Sequence, residues 1–249
     1  MRVPLIAGNW KMYKTAREAG DMVRTLRGLV DGVKDVDVCV CPPYTALVAA
    51  VEAAKGSRIQ VGAQDCYWEK EGAFTGEVSV PMLAELGVSQ VIVGHSERRQ
   101  FFGETDVTVD KKIGAVLAHG ISCIGCLGET LQEREAGQTL AVLERQIRGG
   151  FARHLSSPRL VIAYEPVWAI GTGKTATPVQ AQEVHAFLRQ LVGQVAGPAV
   201  AASVRILYGG SVKPDNVAAL MAQPDLDGAL VGGASLDPAS FTKIVKFRG

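Results

Sequence analysis

Short apolar runs alternate with longer amphipathic segments along the chain. Eight runs have the length and residue types of buried strands, and they are Pro4 to Gly8, Asp37 to Cys41, Ile59 to Gln64, Gln90 to Val93, Ser122 to Cys126, Leu160 to Tyr164, Arg205 to Tyr208 and Gly228 to Val231. Segments with helical periodicity lie between them, and they include Ala16 to Leu29, Tyr44 to Lys55, Asp106 to Ala118, Leu140 to His154, Pro178 to Val195 and Asn216 to Met221. The pattern predicts that strands and helices alternate throughout.

Such alternation predicts a parallel sheet, because parallel neighbours need a crossover helix. Eight units in 249 residues favour a closed (β/α)8 barrel of the α/β class, which folds at about 250 residues as one domain. An open, doubly wound sheet is the alternative. Neither a linker nor a change of composition divides the sequence, so we expect one barrel domain over residues 1–249.

Composition and charge exclude several classes of protein. The chain is 47% hydrophobic and 20% charged, which is typical of a globular protein. Its 26 Lys and Arg residues balance 25 Asp and Glu residues without long runs of like charge, so nucleic acid is not an expected partner. The apolar stretch near the first residue is too brief for a signal peptide or a membrane span. We expect a cytoplasmic protein with no membrane partner.

The five cysteines form an odd set scattered through apolar stretches, which is poor material for a secreted disulfide framework. Cys123 and Cys126 form a C-x-x-C pattern, but both fall in a predicted strand. Their odd spacing places the two thiols on opposite faces of that strand. We therefore expect reduced, structural thiols and neither a zinc site nor a redox pair.

Residues that could take part in catalysis or in substrate binding follow several of the predicted strands. They are Asn9 and Lys11 after the first strand, His95 after the fourth, Glu165 after the sixth, Ser211 after the seventh, and Gly232 with Gly233 after the eighth. Taken alone, a lysine here is better explained as a solvated charge, a glutamate as a surface residue and a histidine as a satisfied hydrogen-bonding group. In a barrel, however, the carboxyl ends of all strands meet at the rim where active sites are built.

Glu165 and His95 are the best candidates for proton transfer. Glu165 directly follows a buried apolar strand beside Pro166 and Trp168, and apolar neighbours are expected to raise its pKa toward that of a general base. Ser96 is a candidate cap for a short helix, which would leave His95 near exposed N–H groups. That field disfavours the imidazolium form, and a neutral imidazole can still donate a hydrogen bond to a carbonyl oxygen.

Two glycine pairs, Gly209-Gly210 and Gly232-Gly233, stand between a predicted strand and a helix. Bare backbone amides at such positions suit a phosphate group, although glycine pairs are also common in turns that bind nothing. Two pairs after the last two strands favour a phosphate site.

The sequence GTGKTA at residues 171–176 resembles two nucleotide-binding motifs but fits neither. A Walker A loop needs glycine where Trp168 stands, and a dinucleotide fingerprint should follow its strand directly. We interpret the segment as a hinged lid in which Gly171 and Gly173 supply backbone freedom. Motifs for metal hydrolysis and for a nucleophilic serine are missing from the sequence, so we expect neither metal nor cofactor.

Motifs spread over essentially the whole chain resemble the triosephosphate isomerase family. They are NWKM, GAQD, GAFTGEVS, VGHSERR, CLGET, AYEPVWAIGTGKTAT, YGGSV and LVGGASL, in this order. The resemblance implies interconversion of dihydroxyacetone phosphate and glyceraldehyde 3-phosphate, in glycolysis and gluconeogenesis. It also implies the roles that this family is known for, in which Glu165 moves the proton and a neutral His95 polarises the carbonyl.

The resemblance further implies how substrate and partner are bound. Lys11 with Asn9 would offset charge on the enediolate. The phosphate would be held by the backbone of Gly171, Ser211, Gly232 and Gly233, under a lid from Pro166 to Ala176 that excludes water. The loop Phe74-Thr75-Gly76 would insert near Lys11 of a second subunit, giving a homodimer.

Two departures from the family pattern concern that interface. Tyr13 and Asp65 stand where many relatives have Asn, so the detailed packing of the interface is open. Two other functions compete with the isomerase on the residues alone: a Schiff-base aldolase that uses Lys11 or Lys174, and a non-catalytic binding scaffold.

Overall fold

Eight parallel strands close into a barrel in the computed structural model, which describes residues 2–169 and 176–249. The strands are β1 (Leu5–Asn9), β2 (Asp37–Cys41), β3 (Ile59–Ala63), β4 (Gln90–Val93), β5 (Ser122–Leu127), β6 (Leu160–Tyr164), β7 (Arg205–Tyr208) and β8 (Gly228–Val231). Each strand pairs with the next, and β1 also pairs with β8, where Leu5 lies opposite Gly228. The predicted closed barrel is confirmed and the open sheet was the wrong alternative.

Helices connect the strands around the outside of the barrel. In the described ranges they are α1 (Ala16–Val30), α2 (Leu47–Ala54), α3 (Val80–Glu85), α4 (Ser96–Phe101), α5 (Asp106–Ala118), α6 (Leu131–Glu135), α7 (Thr139–Gln146), α8 (Pro178–Ala196), α9 (Pro198–Ser203), α10 (Val217–Met221) and α11 (Pro238–Val245). None of these described helices is long and apolar enough to cross a membrane.

The alternation of side chains along each strand creates two cores. Residues such as Leu5 and Ala7 fill the barrel interior, whereas Ile6 between them joins the larger core beneath the helices. Cys126 lies in the interior core and Cys123 in the outer one, so the prediction of opposite faces is confirmed. All five cysteines are buried and unpaired.

The predicted helix from Leu140 to His154 is wrong in its second half. An α-helix ends at Gln146 and continues as a π-helical turn over Ile147–Phe151. The glycines of that turn allow a close approach to α5, because a Cβ on Gly149 would lie 3.2 Å from Cβ of Asp106. The π-helical turn thus lies where the chain packs closely against α5.

Candidate active site

The loops after β1, β4, β6, β7 and β8 surround one pocket at the carboxyl end of the barrel, with a volume of about 370 Å³. Its lining includes every predicted site residue in the described ranges, namely Asn9, Lys11, His95, Glu165, Ser211, Gly232 and Gly233. Gly171, Gly173 and Lys174 lie outside the described residues. The three groups expected to carry the chemistry therefore meet, although 154 residues separate Lys11 from Glu165 in sequence.

Glu165 is buried at the end of β6, with 2% of the residue exposed. Its Oε1 lies 3.0 Å from Nε2 of His95. Its Oε2 accepts a hydrogen bond of 3.0 Å from the backbone N–H of Ser96. Both carboxylate oxygens are thus held by the β4–α4 loop.

The pKa of Glu165 is lowered in this arrangement, and the expectation that it is raised was wrong. Burial does raise the pKa, but His95 and the N–H of Ser96 stabilise the ionised form and outweigh it, with Lys11 acting in the same direction. Apolar neighbours along the sequence could not disclose these partners, since they come from another strand. The carboxylate is ionised and ready to accept a proton.

His95 caps the helix that follows it. Its Nδ1 accepts a hydrogen bond of 3.2 Å from the backbone N–H of Glu97, which makes His95 the N-cap of α4 and Ser96 its first residue. The predicted cap at Ser96 was therefore wrong. A nitrogen that accepts from an amide carries no proton, so this geometry fixes a neutral imidazole with its proton on Nε2.

Two influences on the pKa of His95 oppose each other. Burial lowers the pKa, but the carboxylates of Glu165 and Glu97 raise it above its ordinary value. The amide at Nδ1 acts against protonation, because an imidazolium would lose that hydrogen bond. We assign the neutral form on the geometry of Nδ1, and the raised pKa to the contact with Glu165.

Gly94 sets the direction in which His95 leaves β4. Its φ of 74° lies in the left-handed region, and a Cβ would stand 2.9 Å from Val109 and 3.0 Å from the carbonyl oxygen of Cys126. A residue with a side chain would meet both the strain and the crowding.

Lys11 also adopts a left-handed conformation, with φ at 51°. Asn9 stabilises it by accepting a hydrogen bond from the Lys11 amide at 3.1 Å, and Gln64 donates to the Lys11 carbonyl at 2.8 Å. The ammonium then lies 2.5 Å from Oε1 of Glu97. Gln64 was missed by the sequence analysis, because only the fold brings it beside β1.

The glycine-rich side of the pocket faces these groups. Lys11 passes close to Gly232, where a Cβ would lie 3.6 Å from Cε of the lysine. Across the pocket a Cβ on Gly209 would approach Cγ of Glu165 to 2.9 Å. A side chain at position 209 would fill the space beside the carboxylate, and one at position 232 would lie against Lys11, so both glycines keep the pocket open.

Glu129 is a second residue that the sequence analysis passed over. It is fully buried after β5 and accepts hydrogen bonds from the hydroxyl of Tyr164 at 3.1 Å and from Nε1 of Trp168 at 3.0 Å. It therefore anchors the segment that leads from Glu165 into residues 170–175. Its position in the CLGET motif was the available signal.

Over residues 2–169 and 176–249, no group of three or more His, Cys, Asp or Glu side chains could hold a metal ion. What the pocket offers is an ionised carboxylate, a neutral imidazole and an ammonium beside exposed backbone. The fold and the site define a class: barrel enzymes that move protons on small phosphorylated carbonyl compounds.

Comparison with known proteins identifies the family within that class. The profile described as triosephosphate isomerase matches residues 4–248. Triosephosphate isomerase of Moorella thermoacetica is 60% identical over 99% of both chains, and that of Trichlorobacter lovleyi is 56% identical over 100% of both. The chain belongs to the triosephosphate isomerase family, and it is an enzyme that interconverts dihydroxyacetone phosphate and glyceraldehyde 3-phosphate. The aldolase and the scaffold are thereby set aside.

Proposed function

We propose that Glu165 is the base that removes the proton beside the substrate carbonyl and returns it to the neighbouring carbon. The burial of its carboxylate and its position 3.0 Å from His95 support this role. His95 would donate the Nε2 proton to the carbonyl oxygen and, later, to the enediolate oxygen.

The observed contact between Glu165 and His95 means that one of them must turn toward the substrate. The Nε2 proton of His95 points at Oε1 of Glu165, so it is not free for a carbonyl oxygen. If the carboxylate leaves His95 and Ser96, the strongest interactions that lower its pKa are lost, and burial raises the pKa against the charge of Lys11 alone. The base would thus become stronger as it reaches the carbon acid.

Lys11 would supply positive charge to the enediolate, with Asn9 holding it in place. The phosphate would lie on the backbone of Ser211, Gly232 and Gly233, with Gly171 completing the site. Closure of residues 166–176 over the pocket would exclude water, because an exposed enediolate can expel its phosphate.

The observation that carries the proposal is the buried Glu165 carboxylate held against His95. Glu165→Asp draws the carboxylate back by one methylene, and a displacement of about 1 Å lowers kcat by about a hundredfold while KM changes little. Steady-state kinetics in both directions measures this. Glu144→Asp, an equally conservative change on an exposed residue, is the control, and wild-type kcat in the Glu165 variant would remove Glu165 as the base.

Three further properties belong to this proposal. We expect the 249 residues to form one domain. We also expect the protein to be cytoplasmic, since its five unpaired cysteines suit a reducing compartment. Finally, we expect Phe74-Thr75-Gly76 to contact a second subunit. Phe74 packs on Tyr67 at 4.6 Å between ring centroids, yet 41% of it remains exposed. Such a partly exposed aromatic at a loop tip favours an interface.

A further inference from the structure

A second and larger cavity shares Glu165 with the substrate pocket. Its volume is about 800 Å³, and it lies among the loops after β4, β5 and β6. The side chains of Leu131 and Val167 contribute an apolar surface to it, whereas Leu127 is buried behind them. A cavity of this size and lining suits an organic molecule with an apolar body.

The charges of the lining distinguish one end of this cavity. The carboxylate of Asp106 lies 2.6 Å from NH1 of Arg99, whereas Arg145 approaches it only to 3.5 Å through Nε. The Arg145 side chain is 60% exposed. Its guanidinium therefore keeps donors available for another anion.

The other carboxylates of the lining have nearer partners than Arg145. The Glu133 carboxylate accepts hydrogen bonds from the backbone N–H and the hydroxyl of Thr130 in a capping box. Glu104 forms an ion pair with Lys112. Glu165 is held by the β4–α4 loop as described. Arg99 and Arg145 therefore share the single carboxylate of Asp106 at that end, which leaves an excess of positive charge there, so the favourable charge for a ligand is negative.

We propose that this cavity binds small organic anions that carry a flat apolar body, with the anionic group on Arg145 and the body against Leu131 and Val167. Occupancy would act on the active site through Gly128. A Cβ at Gly128 would overlap the carbonyl oxygen of Glu165, so the backbones of the two residues are in contact. The inference, which rests on the proposed role of Glu165, is that such anions inhibit the isomerase reaction without competing with the triose phosphate.

Anilinonaphthalene sulfonate, an aromatic anion whose fluorescence rises on binding, tests the site in the full-length protein. Arg145→Gln is expected to weaken binding by about tenfold, as for one lost charge-assisted hydrogen bond. Arg148→Gln is the matched control, since Arg148 is on the same helical segment, is similarly exposed and pairs with Glu144 at 2.8 Å. It should leave the affinity unchanged. Equal affinities of the two variants would overturn the site.

Leu131→Trp places a bulky indole ring in the cavity and should also reduce binding of the probe. Thermal melting verifies that this variant folds. Full displacement of the probe by inorganic phosphate would place it in the substrate pocket and overturn the proposal. In rate assays the probe should lower kcat and leave KM unchanged, and purely competitive inhibition would contradict the coupling. The binding measurements need no turnover, so they stand even if Glu165 is not the base.

Discussion

The protonation state of a buried residue is set by the few groups that touch it. His185 shows this away from the active site, since it is fully buried. Its ring meets that of Tyr164 edge-on with 5.9 Å between centroids, and Nδ1 lies 3.3 Å from the carbonyl oxygen of Asp225. Burial lowers the pKa of His185 from 6.5 to about 3, and the charge of Arg189 adds to this in spite of the hydrogen bond to Asp225.

This lowered pKa predicts acid lability. The folded state keeps His185 neutral, so its contribution to stability is present above pH 6.5, the ordinary pKa, and is lost as the pH falls toward 3. Between pH 7 and 5 the loss is about 2 kcal/mol. Urea unfolding of the wild type and of His185→Phe at both pH values measures it, and the variant should lose about 2 kcal/mol less. An identical pH dependence in both proteins would contradict the predicted protonation.

The sequence was sufficient to locate Glu165 and His95, because each follows a strand whose direction the barrel determines. It was insufficient for their electrostatics. The pKa of Glu165 depends on a hydrogen bond from Ser96, and the orientation of Lys11 depends on Gln64, which follows β3. These partners are adjacent only after the barrel has closed.

Several helices begin at a threonine whose side chain closes a capping box. The side chains of four threonines, Thr15, Thr105, Thr130 and Thr177, each accept a hydrogen bond from the backbone N–H three residues later. In each case the side chain at that later position accepts a hydrogen bond from the backbone N–H of the threonine. These reciprocal bonds satisfy amides that lack partners in the first helical turn. The caps thus fix the points at which the loops of the carboxyl rim become helices.

Removing the cap of α1 should destabilise the protein without affecting the active site. Thr15→Ala removes the hydroxyl that accepts from the Glu18 amide, at a cost of about 1 kcal/mol, which lowers Tm by about 2–4 °C in a chain of this size. Thr25→Ala in the same helix is the control, because its hydroxyl bonds only the Asp21 carbonyl within the helix. Calorimetry should separate the two variants, and equal values of Tm would mean that the cap contributes nothing.

Elements were predictable where they are long or strongly apolar. The predicted limits of β2, β4, β6, β7, β8 and α5 are confirmed to the residue. Short helices such as α6 and α9, which have five and six residues, offer too few positions for a periodic pattern. The π-helical turn after α7 lies against α5, a contact that no local pattern contains.

At the scale of the molecule, several exposed apolar side chains lie on the connections that follow β1, β3 and β4. Met12 is 93% exposed after β1, Phe74 41% after β3 and Phe102 67% after β4. Because β1 to β4 are neighbours in the barrel, these loops lie along one side of its rim. Such a surface favours a second subunit.

A charge in this surface should prevent association. Phe74→Asp is expected to give particles of half the wild-type mass by light scattering, because an unpaired carboxylate would be buried at the contact. Val179→Asp, which changes a residue 63% exposed on α8, should leave the mass unchanged. A wild-type protein that already has the mass of one chain would contradict the dimer.

The pairing of β1 with β8 has a consequence for how the protein is made. Leu5 leaves the ribosome long before its partner Gly228. The ring therefore cannot close before β8 has emerged, and the β1 edge stays without this neighbour until then. For a nascent chain of this kind, that interval is the one in which a chaperone would matter most.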